Sequence, residues 1–211
     1  ARATAGAAAE NGLGLVVHVP SEQDLMDAIE AGAAVIAHVP ADAPLSDAAI
    51  ATLKSADIPV ISTLAVYEAF DRLLNTPEWV DAQQVQASLP NETWQQLRDP
   101  ALREGIQDEP YIAAFSDWAA YTRDNLLRLH ASGVRIMAGT DAGEFAVVHG
   151  PSIHRELELL VQAGLTTKEA IAAATLAPAE FLNRTQQGRI QPGYVADVVL
   201  VEGRPDENIR A

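Results

Sequence analysis

Three side chains that can bind a metal ion come directly after apolar runs of the sequence: His18, His38 and Asp141. Neutral imidazole suits zinc and chemically similar ions, and a carboxylate can bind a metal as well as accept a proton. A single histidine after a strand is more often a structural hydrogen-bonding residue. Two histidines in the same context, with an aspartate between two glycines, favour a divalent metal site, in which the Asp141 carboxylate could also move a proton.

The apolar runs that precede these residues have the length and composition of short buried strands. They span residues 13–17, 33–37 and 134–139, and a further strand is predicted over 58–64. Segments with helical spacing of apolar residues separate them. This alternation indicates right-handed βαβ units in a parallel sheet, whose carboxyl ends open on one face. The three residues are therefore expected together at the mouth of a β/α barrel.

Three further side chains are candidates for substrate binding near that mouth. Tyr67 follows the third predicted strand, and His149 and His154 lie in the loop and first helical turn after the Asp141 strand. Each also has a simpler interpretation, because Tyr67 can pack beneath neighbouring helices and the histidines can be plain loop or exposed helix residues. Glu156, two residues beyond His154, is expected to be solvated or ion-paired.

Two segments depart from the alternation of strands and helices. Residues 66–130 hold all three tryptophans and several polar helical stretches, which predicts a helical insertion lying over the barrel mouth. Residues 188–201 are typical of a strand, a Pro-Gly turn and a second strand. Because a hairpin does not extend a parallel barrel, the expected domains are a partial barrel over 1–185 and part of a small β domain over 186–211.

Composition and charge exclude several classes of partner. The 211 residues include 14 basic and 29 acidic side chains, and the net charge of −15 disfavours nucleic acid and anionic membranes. No apolar run approaches the roughly 20 residues of a membrane span. The absence of cysteine excludes disulfides and thiolate ligands. A soluble protein that acts on a small molecule is expected, in the cytoplasm rather than outside the cell.

Several motifs together resemble those of the amidohydrolase superfamily, specifically its imidazolonepropionase-like and dipeptidase-like metal-dependent hydrolases. The similarity covers nearly the whole chain and rests on Val17-His18-Val19, Ala31-Gly32 through Ala37-His38, Gly139-Thr140-Asp141-Ala142-Gly143, the run His149 to Gly164, Ala172 to Ala179, and Gly188 to Gly193 with Ala196-Asp197. In that family the two histidines end the fifth and sixth barrel strands, and the aspartate ends the eighth. The resemblance therefore implies an α/β fold: the second half of a TIM-type (β/α)8 barrel, with a helical insertion and a C-terminal β-hairpin of a small β-sandwich domain.

The same resemblance implies a metal-dependent hydrolase that cleaves a C–N bond of an amide, cyclic amide or peptide-like substrate. One or two Zn²⁺ or similar divalent ions would be held by His18, His38 and Asp141 and would activate a water molecule. Asp141 would accept the proton of that water and return it to the leaving nitrogen.

The chain also departs from the family pattern. The family's His-x-His pair of the first strand is absent, and so is the lysine that often bridges two metals, since Lys54 and Lys168 both fall in predicted helices. An N-terminal segment of the same protein is therefore expected to supply the other ligands and strands, and the 211-residue segment alone is expected to be inactive. A homo-oligomer is compatible with these features. The alternative is a non-catalytic half-barrel that serves as an interaction or structural unit.

Overall fold

Four short strands form one parallel sheet in chain order. The structure, a computed structural model, describes residues 2–211 apart from the side chains of Arg2, Pro110 and Ala113. The strands are β1 Val16–His18, β2 Val35–Ala37, β3 Val60–Ile61 and β4 Ile136–Met137. In the register, Val17 lies opposite Ile36, Ile36 opposite Val60, and Val60 opposite Ile136. The predicted parallel sheet is confirmed, with strands shorter than the apolar runs that contain them.

One helix precedes β1, and the others lie in the connections between the strands or follow β4. In chain order they are α1 Arg2–Glu10, α2 Glu22–Glu30, α3 Asp47–Ser55, α4 Leu64–Asn75, a 3-10 helix Pro77–Asp81, α5 Gln83–Ser88, α6 Asn91–Arg98, α7 Pro100–Gln107, α8 Pro110–Ala131, α9 Pro151–Gln162, α10 Thr167–Ala174 and α11 Leu176–Phe181. A strand, then a helix, then a parallel strand is the repeating unit of α/β barrels. The fold is an α/β partial barrel, as the sequence predicts.

Side-chain caps define where several of these helices begin. The hydroxyls of Ser21 and Ser46 accept hydrogen bonds from the backbone N–H groups three residues ahead, at the starts of α2 and α3. At α10, Thr166 and Glu169 form the complete reciprocal capping box that their spacing predicts. These caps satisfy backbone donors that a helix leaves unpaired at its first turn.

The main hydrophobic core lies between the sheet and the helices that cover it. Val60 and Ile36 in the strands have no solvent exposure, and neither do Leu53 of α3, Leu126 of α8 and Leu160 of α9. Because strands and helices contribute to one cluster, this packing fixes the sheet against its outer layer and holds the strand ends at one edge.

The segment predicted as a helical insertion is helical. It has a small core of its own, formed by Leu73, Val80 and Leu97 with partly buried side chains around them. Phe145, in the loop after β4, packs on this core, and its ring stacks on Phe70 of α4 with centroids 4.9 Å apart. The insertion therefore contacts a loop at the carboxyl end of the sheet. The predicted domain boundary between residues 185 and 186 stays a prediction.

The predicted β-hairpin over residues 188–201 is wrong for this chain. The turn itself forms, because Tyr194 N–H donates to the Gln191 carbonyl at 3.1 Å and Gly193 takes φ of +87°. However, no strand is present in the described structure from residue 188 onward, and Leu200 is 99% exposed. A two-stranded hairpin is at best marginally stable without a third strand or a packed face, and this segment has neither.

Both outer strands of the sheet have one strand neighbour each: β1 pairs only with β2, and β4 only with β3. A closed barrel of this type has eight strands and no free edge. Of the helices that the structure describes, none combines the length and apolar character needed to cross a bilayer.

Candidate metal and catalytic site

The three predicted metal-binding residues lie together at the carboxyl end of the sheet. The His18 and His38 rings meet edge to face, with centroids 4.7 Å apart. The Nε2 atom of His38 lies 3.8 Å from Oδ2 of Asp141. His18 ends β1, His38 follows β2, and Asp141 follows β4, so the parallel sheet brings side chains more than 100 residues apart into one cluster.

Residues with left-handed backbone conformation follow three of the strands. His38, Thr63 and Asp141 have φ values of +71°, +49° and +52°. Residues with a side chain rarely adopt this region, and a β-branched residue such as Thr63 does so only where its surroundings hold it there. Unfavourable backbone conformations of this kind concentrate at functional sites, and here they coincide with the ends of neighbouring strands.

A hydrogen bond fixes the orientation of the His38 ring. Its Nδ1 atom lies 2.7 Å from Oγ1 of Thr63, which follows the neighbouring strand β3. This contact leaves Nε2 directed toward Asp141. A metal-binding histidine characteristically has its second ring nitrogen engaged in this way, because the bond sets both tautomer and ring orientation. The sequence analysis did not identify Thr63.

Burial and neighbouring charges act on His38 in opposite directions. Burial lowers the pKa of His38, as does the neighbouring His18, whereas the carboxylates of Asp141 and Glu144 raise it. The His38 side chain is 12% exposed and that of Asp141 is 47% exposed. The net downward shift favours neutral imidazole near neutral pH, which is the form that binds a metal ion.

The glycines around Asp141 have separate structural roles. A Cβ atom on Gly139 would lie 2.3 Å from Cγ2 of Ile61 in β3, so only glycine permits this close approach of the two strands. Gly143 has φ of +115°, a conformation that side chains disfavour. The two glycines thus allow the chain to leave β4 sharply and present Asp141 at the edge of the sheet.

The three predicted substrate-binding residues lie in different places. Tyr67 is buried on α4, and burial, with a contribution from the charge of Asp141, raises its pKa to about 12. His149 is exposed in the loop after Asp141, beside Gly143. His154 is exposed on α9 and lines a different cavity together with Arg72 and Trp79. Thus Tyr67 and His149 flank the Asp141 loop, and the structure does not bring His154 to the cluster.

A cavity of about 630 Å³ lies between the insertion and the loop that carries Asp141. Its lining is mostly apolar and includes Leu89, Leu97, Leu102, Phe145, Val147 and Val148. The acidic side chains of Asp99 and Glu144 and the imidazole of His149 also line it. A volume of this size falls within the range of small-molecule sites, which typically combine apolar walls with a few polar groups.

A family model described as the amidohydrolase family matches residues 1–211, the whole chain. The chain belongs to the amidohydrolase family. A search of curated proteins found no match.

Several solved structures have a similar fold. A Xaa-Pro dipeptidase with bound methionine is 22% identical over 99% of the chain, with a TM-score of 0.69. A putative prolidase from Bifidobacterium longum is 22% identical over 99%, with a TM-score of 0.71, and A. niger ochratoxinase is 26% identical over 96%, with a TM-score of 0.67. The chain spans 43%, 46% and 38% of those three proteins, less than half of each.

Members of the amidohydrolase family generally use divalent metal ions. The chemistry of the candidate residues fits such an ion: two imidazoles, one of them oriented by Thr63, stand beside a carboxylate. Their geometry is incomplete, because within the described part of the chain no three His, Asp or Glu side chains form a group that could hold an ion. His18, His38 and Asp141 therefore fit as a partial ligand set.

Glu156 differs from its expected solvated or ion-paired state. It has no solvent exposure, and its carboxylate accepts hydrogen bonds from the Ser62 hydroxyl and from the backbone N–H groups of Leu64 and Ala65. Burial raises its pKa to about 7, although these hydrogen bonds act in the opposite direction. The buried carboxylate joins α9 to the segment that contains Thr63. Sequence reasoning missed it because its hydrogen-bond partners lie more than 90 residues away in the chain.

Proposed function

We propose that this chain forms part of the active site of a metal-dependent hydrolase that cleaves a C–N bond in an amide, cyclic amide or peptide-like substrate. The observation that carries the proposal is the meeting of His18, His38 and Asp141 at the carboxyl end of a parallel sheet, in a member of the amidohydrolase family. Neighbours of similar fold named a dipeptidase, a prolidase and an ochratoxinase support a hydrolase of this class.

Each residue has a defined role in this proposal. His18 and His38 hold a divalent ion with Asp141, and the ion when bound makes water more acidic and stabilises negative charge. Asp141 is half-exposed, and its carboxylate accepts the proton of the attacking water and returns it to the leaving nitrogen. Tyr67 is protonated at neutral pH, as an ordinary tyrosine is, and its raised pKa extends this state to more alkaline pH, so its hydroxyl is a hydrogen-bond donor for a substrate oxygen.

The substrate is a small molecule whose apolar part lies in the cavity beside the Asp141 loop. Phe145 and Leu97 form apolar walls, and His149 and Glu144 supply polar contacts at its edge. The two acidic side chains in the lining disfavour an anionic group at that end of the substrate. His154 lies against another cavity and has a role in substrate binding only if the loop before α9 rearranges.

The remaining ligands are proposed to come from an N-terminal segment of the same protein. Each outer strand of the described sheet has one strand neighbour, and the partial ligand set here lacks the further donors of a closed centre. A free sheet edge favours pairing with further strands, which such a segment or a second copy of the chain would provide. Without it, the chain is expected to bind metal weakly and to have no hydrolase activity.

Metal binding to the 211-residue chain tests this proposal. Zn²⁺ affinity, measured by competition with a chromophoric chelator at pH 8, is expected to fall at least ~10-fold in His38→Ala and in Asp141→Asn, because each removes a ligand. His130→Ala is the matched control, since His130 lies at the end of α8 beside Glu169 and away from the cluster. Equal affinity in all four proteins would contradict the proposed site and favour the non-catalytic half-barrel.

A further inference from the structure

Glu156 is a buried carboxylate that the proposed proton transfer does not use. It lies on α9 with no solvent exposure. Its Oε1 accepts a hydrogen bond from the backbone N–H of Leu64 at 3.0 Å, and its Oε2 accepts one from Ala65 at 2.8 Å. The Ser62 hydroxyl donates to Oε1 as well. Burying a carboxylate is unfavourable unless its oxygens are hydrogen-bonded, so the position of Glu156 and the position of these donors depend on each other.

The three donors lie on both sides of Thr63. This residue precedes α4 with φ of +49°, and its own side chain makes no capping hydrogen bond to the helix. The first free N–H groups of α4 are instead satisfied by Glu156 from another helix. Glu156 thus holds Thr63 in a backbone conformation that a β-branched residue does not adopt by itself.

Thr63 connects this arrangement to the candidate metal site. Its Oγ1 lies 2.7 Å from Nδ1 of His38, and Nε2 of the same ring faces Asp141. Because the Thr63 side chain is free of any capping bond, its hydroxyl is available to His38. The geometry points to Glu156 as a positioning residue for His38: it fixes residues 62–65 so that Thr63 orients the imidazole toward the metal site.

This positioning role requires a carboxylate at position 156. Glutamine has nearly the same shape, but one of its terminal atoms is an amide nitrogen that carries two hydrogens. In Glu156→Gln that NH₂ group would face either the Ala65 N–H or the Leu64 N–H, and two donors cannot hydrogen-bond each other. The substitution therefore releases at least one of the contacts that hold Thr63, with little change in volume.

The orientation of the His38 ring is the first measurement. Long-range proton–nitrogen NMR spectra of the 211-residue chain at pH 8 are expected to show one predominant tautomer of His38 in the wild type, because the Thr63 contact at Nδ1 and Asp141 beside Nε2 give the two ring nitrogens different partners. Glu156→Gln and Thr63→Ala are each expected to give a mixture of tautomers. Glu158→Gln is the matched control: it is the same substitution on the same helix, at a residue that pairs with Arg155 and Arg210. It is expected to leave the His38 spectrum unchanged.

Zn²⁺ affinity is the second measurement, and it rests on the proposed function. Residues that orient a metal ligand typically change affinity 10- to 100-fold when substituted, so Glu156→Gln and Thr63→Ala are each expected to weaken Zn²⁺ binding ~10-fold. The double variant is expected to lose about the same ~10-fold rather than ~100-fold, because both residues act through one contact. A fully additive loss would overturn the proposal.

A further variant covers the case in which Glu156→Gln does not fold, which circular dichroism would detect. Ser62→Ala removes one of the three hydrogen bonds and keeps the carboxylate. A tautomer mixture in this variant would support the proposal, and a wild-type His38 spectrum in a folded Ser62→Ala or Glu156→Gln protein would overturn it. If the wild type binds no Zn²⁺, the proposed function fails, and the tautomer measurement still decides the role of Glu156.

Discussion

The strands of the sheet and the C-terminal segment from residue 186 contain apolar runs of similar composition, but they differ in burial and in strand pairing. Val35, Ile36 and Val60 are at most 1% exposed and lie in a hydrogen-bonded ladder beneath a layer of helices. In the C-terminal segment, Val199 is 88% exposed and Leu200 is 99% exposed, and neither belongs to a strand.

The difference shows that an apolar run becomes a strand only where other parts of the chain complete it. Ile36 has a neighbouring strand on each side and the Leu53 helix in the same core. Val198, Val199 and Val201 have β-branched side chains with high strand propensity, but strand propensity mainly reflects packing against neighbours. The candidate site belongs to the sheet, because each proposed ligand ends or follows a strand that is hydrogen-bonded to at least one other strand.

The largest expected effect compares the same substitution in the two regions. Leu53→Ala removes a side chain with no exposure from the main core and is expected to lower the free energy of unfolding by about 2–5 kcal/mol. Leu200→Ala removes an almost fully exposed side chain and is expected to change it by less than about 0.5 kcal/mol. Urea denaturation followed by circular dichroism measures both. Similar losses in the two variants would show that the C-terminal segment is packed in solution.

A buried acid in the sheet region and an exposed acid in the C-terminal segment are expected to differ in pH dependence. The folded-state pKa of Glu156 is raised to about 7 from 4.5, mainly by burial, so the folded state binds its proton more tightly than the unfolded state. Its contribution to stability is therefore fully present below pH 4.5 and is lost as the pH rises through about 7. The loss amounts to roughly 3 kcal/mol for this shift.

Two variants separate this effect from the other acids of the chain. Unfolding free energies measured between pH 4.5 and 8 are expected to decline more steeply in the wild type than in Glu156→Gln. Glu202→Gln, an exposed residue of the C-terminal segment, is the matched control and should keep the wild-type slope. If Glu156→Gln also keeps that slope, the buried carboxylate is ionised over the whole range and the assigned shift is wrong.

The same comparison explains which features could be predicted from the sequence. His18, His38 and Asp141 each follow an apolar run, and in a parallel sheet this local pattern places the residues at one edge. Predicting that these residues meet required no knowledge of how the helices pack. The hairpin over 188–201 also matched a local pattern, but its formation depends on strands that the pattern does not contain.

The roles of Thr63 and Glu156 could not be predicted for a related reason. The contacts of Glu156 join residues 91 to 94 positions apart, and the contact of Thr63 joins it to His38, 25 positions away. Each residue lies in a segment whose local pattern is ordinary. His154 and Glu156 illustrate the point. A helix turns by about 100° per residue, so residues two positions apart face nearly opposite sides. His154 is exposed, and Glu156 is in the interior. Only the packing of α9 decides which of the two approaches the site.

The smallest expected effect concerns polar contacts that local sequence specifies in each region. Thr166→Ala removes the hydroxyl of the complete capping box at α10 and is expected to lower the free energy of unfolding by about 1 kcal/mol. Arg204→Ala removes the exposed ion pairs with Asp206 and Glu207 in the C-terminal segment, and no measurable change is expected, because solvent screens such pairs. Thermal unfolding at matched protein concentration distinguishes the two variants.

The helix cap contributes because the folded sheet region holds α10 in place whether or not the cap is present, so that removing the hydroxyl leaves a backbone donor unpaired. The ion pairs are exposed to solvent and belong to no strand ladder, so losing them leaves no buried group unpaired. A destabilisation by Arg204→Ala as large as that by Thr166→Ala would therefore show that the C-terminal segment contributes to the cooperative unit that the four strands define.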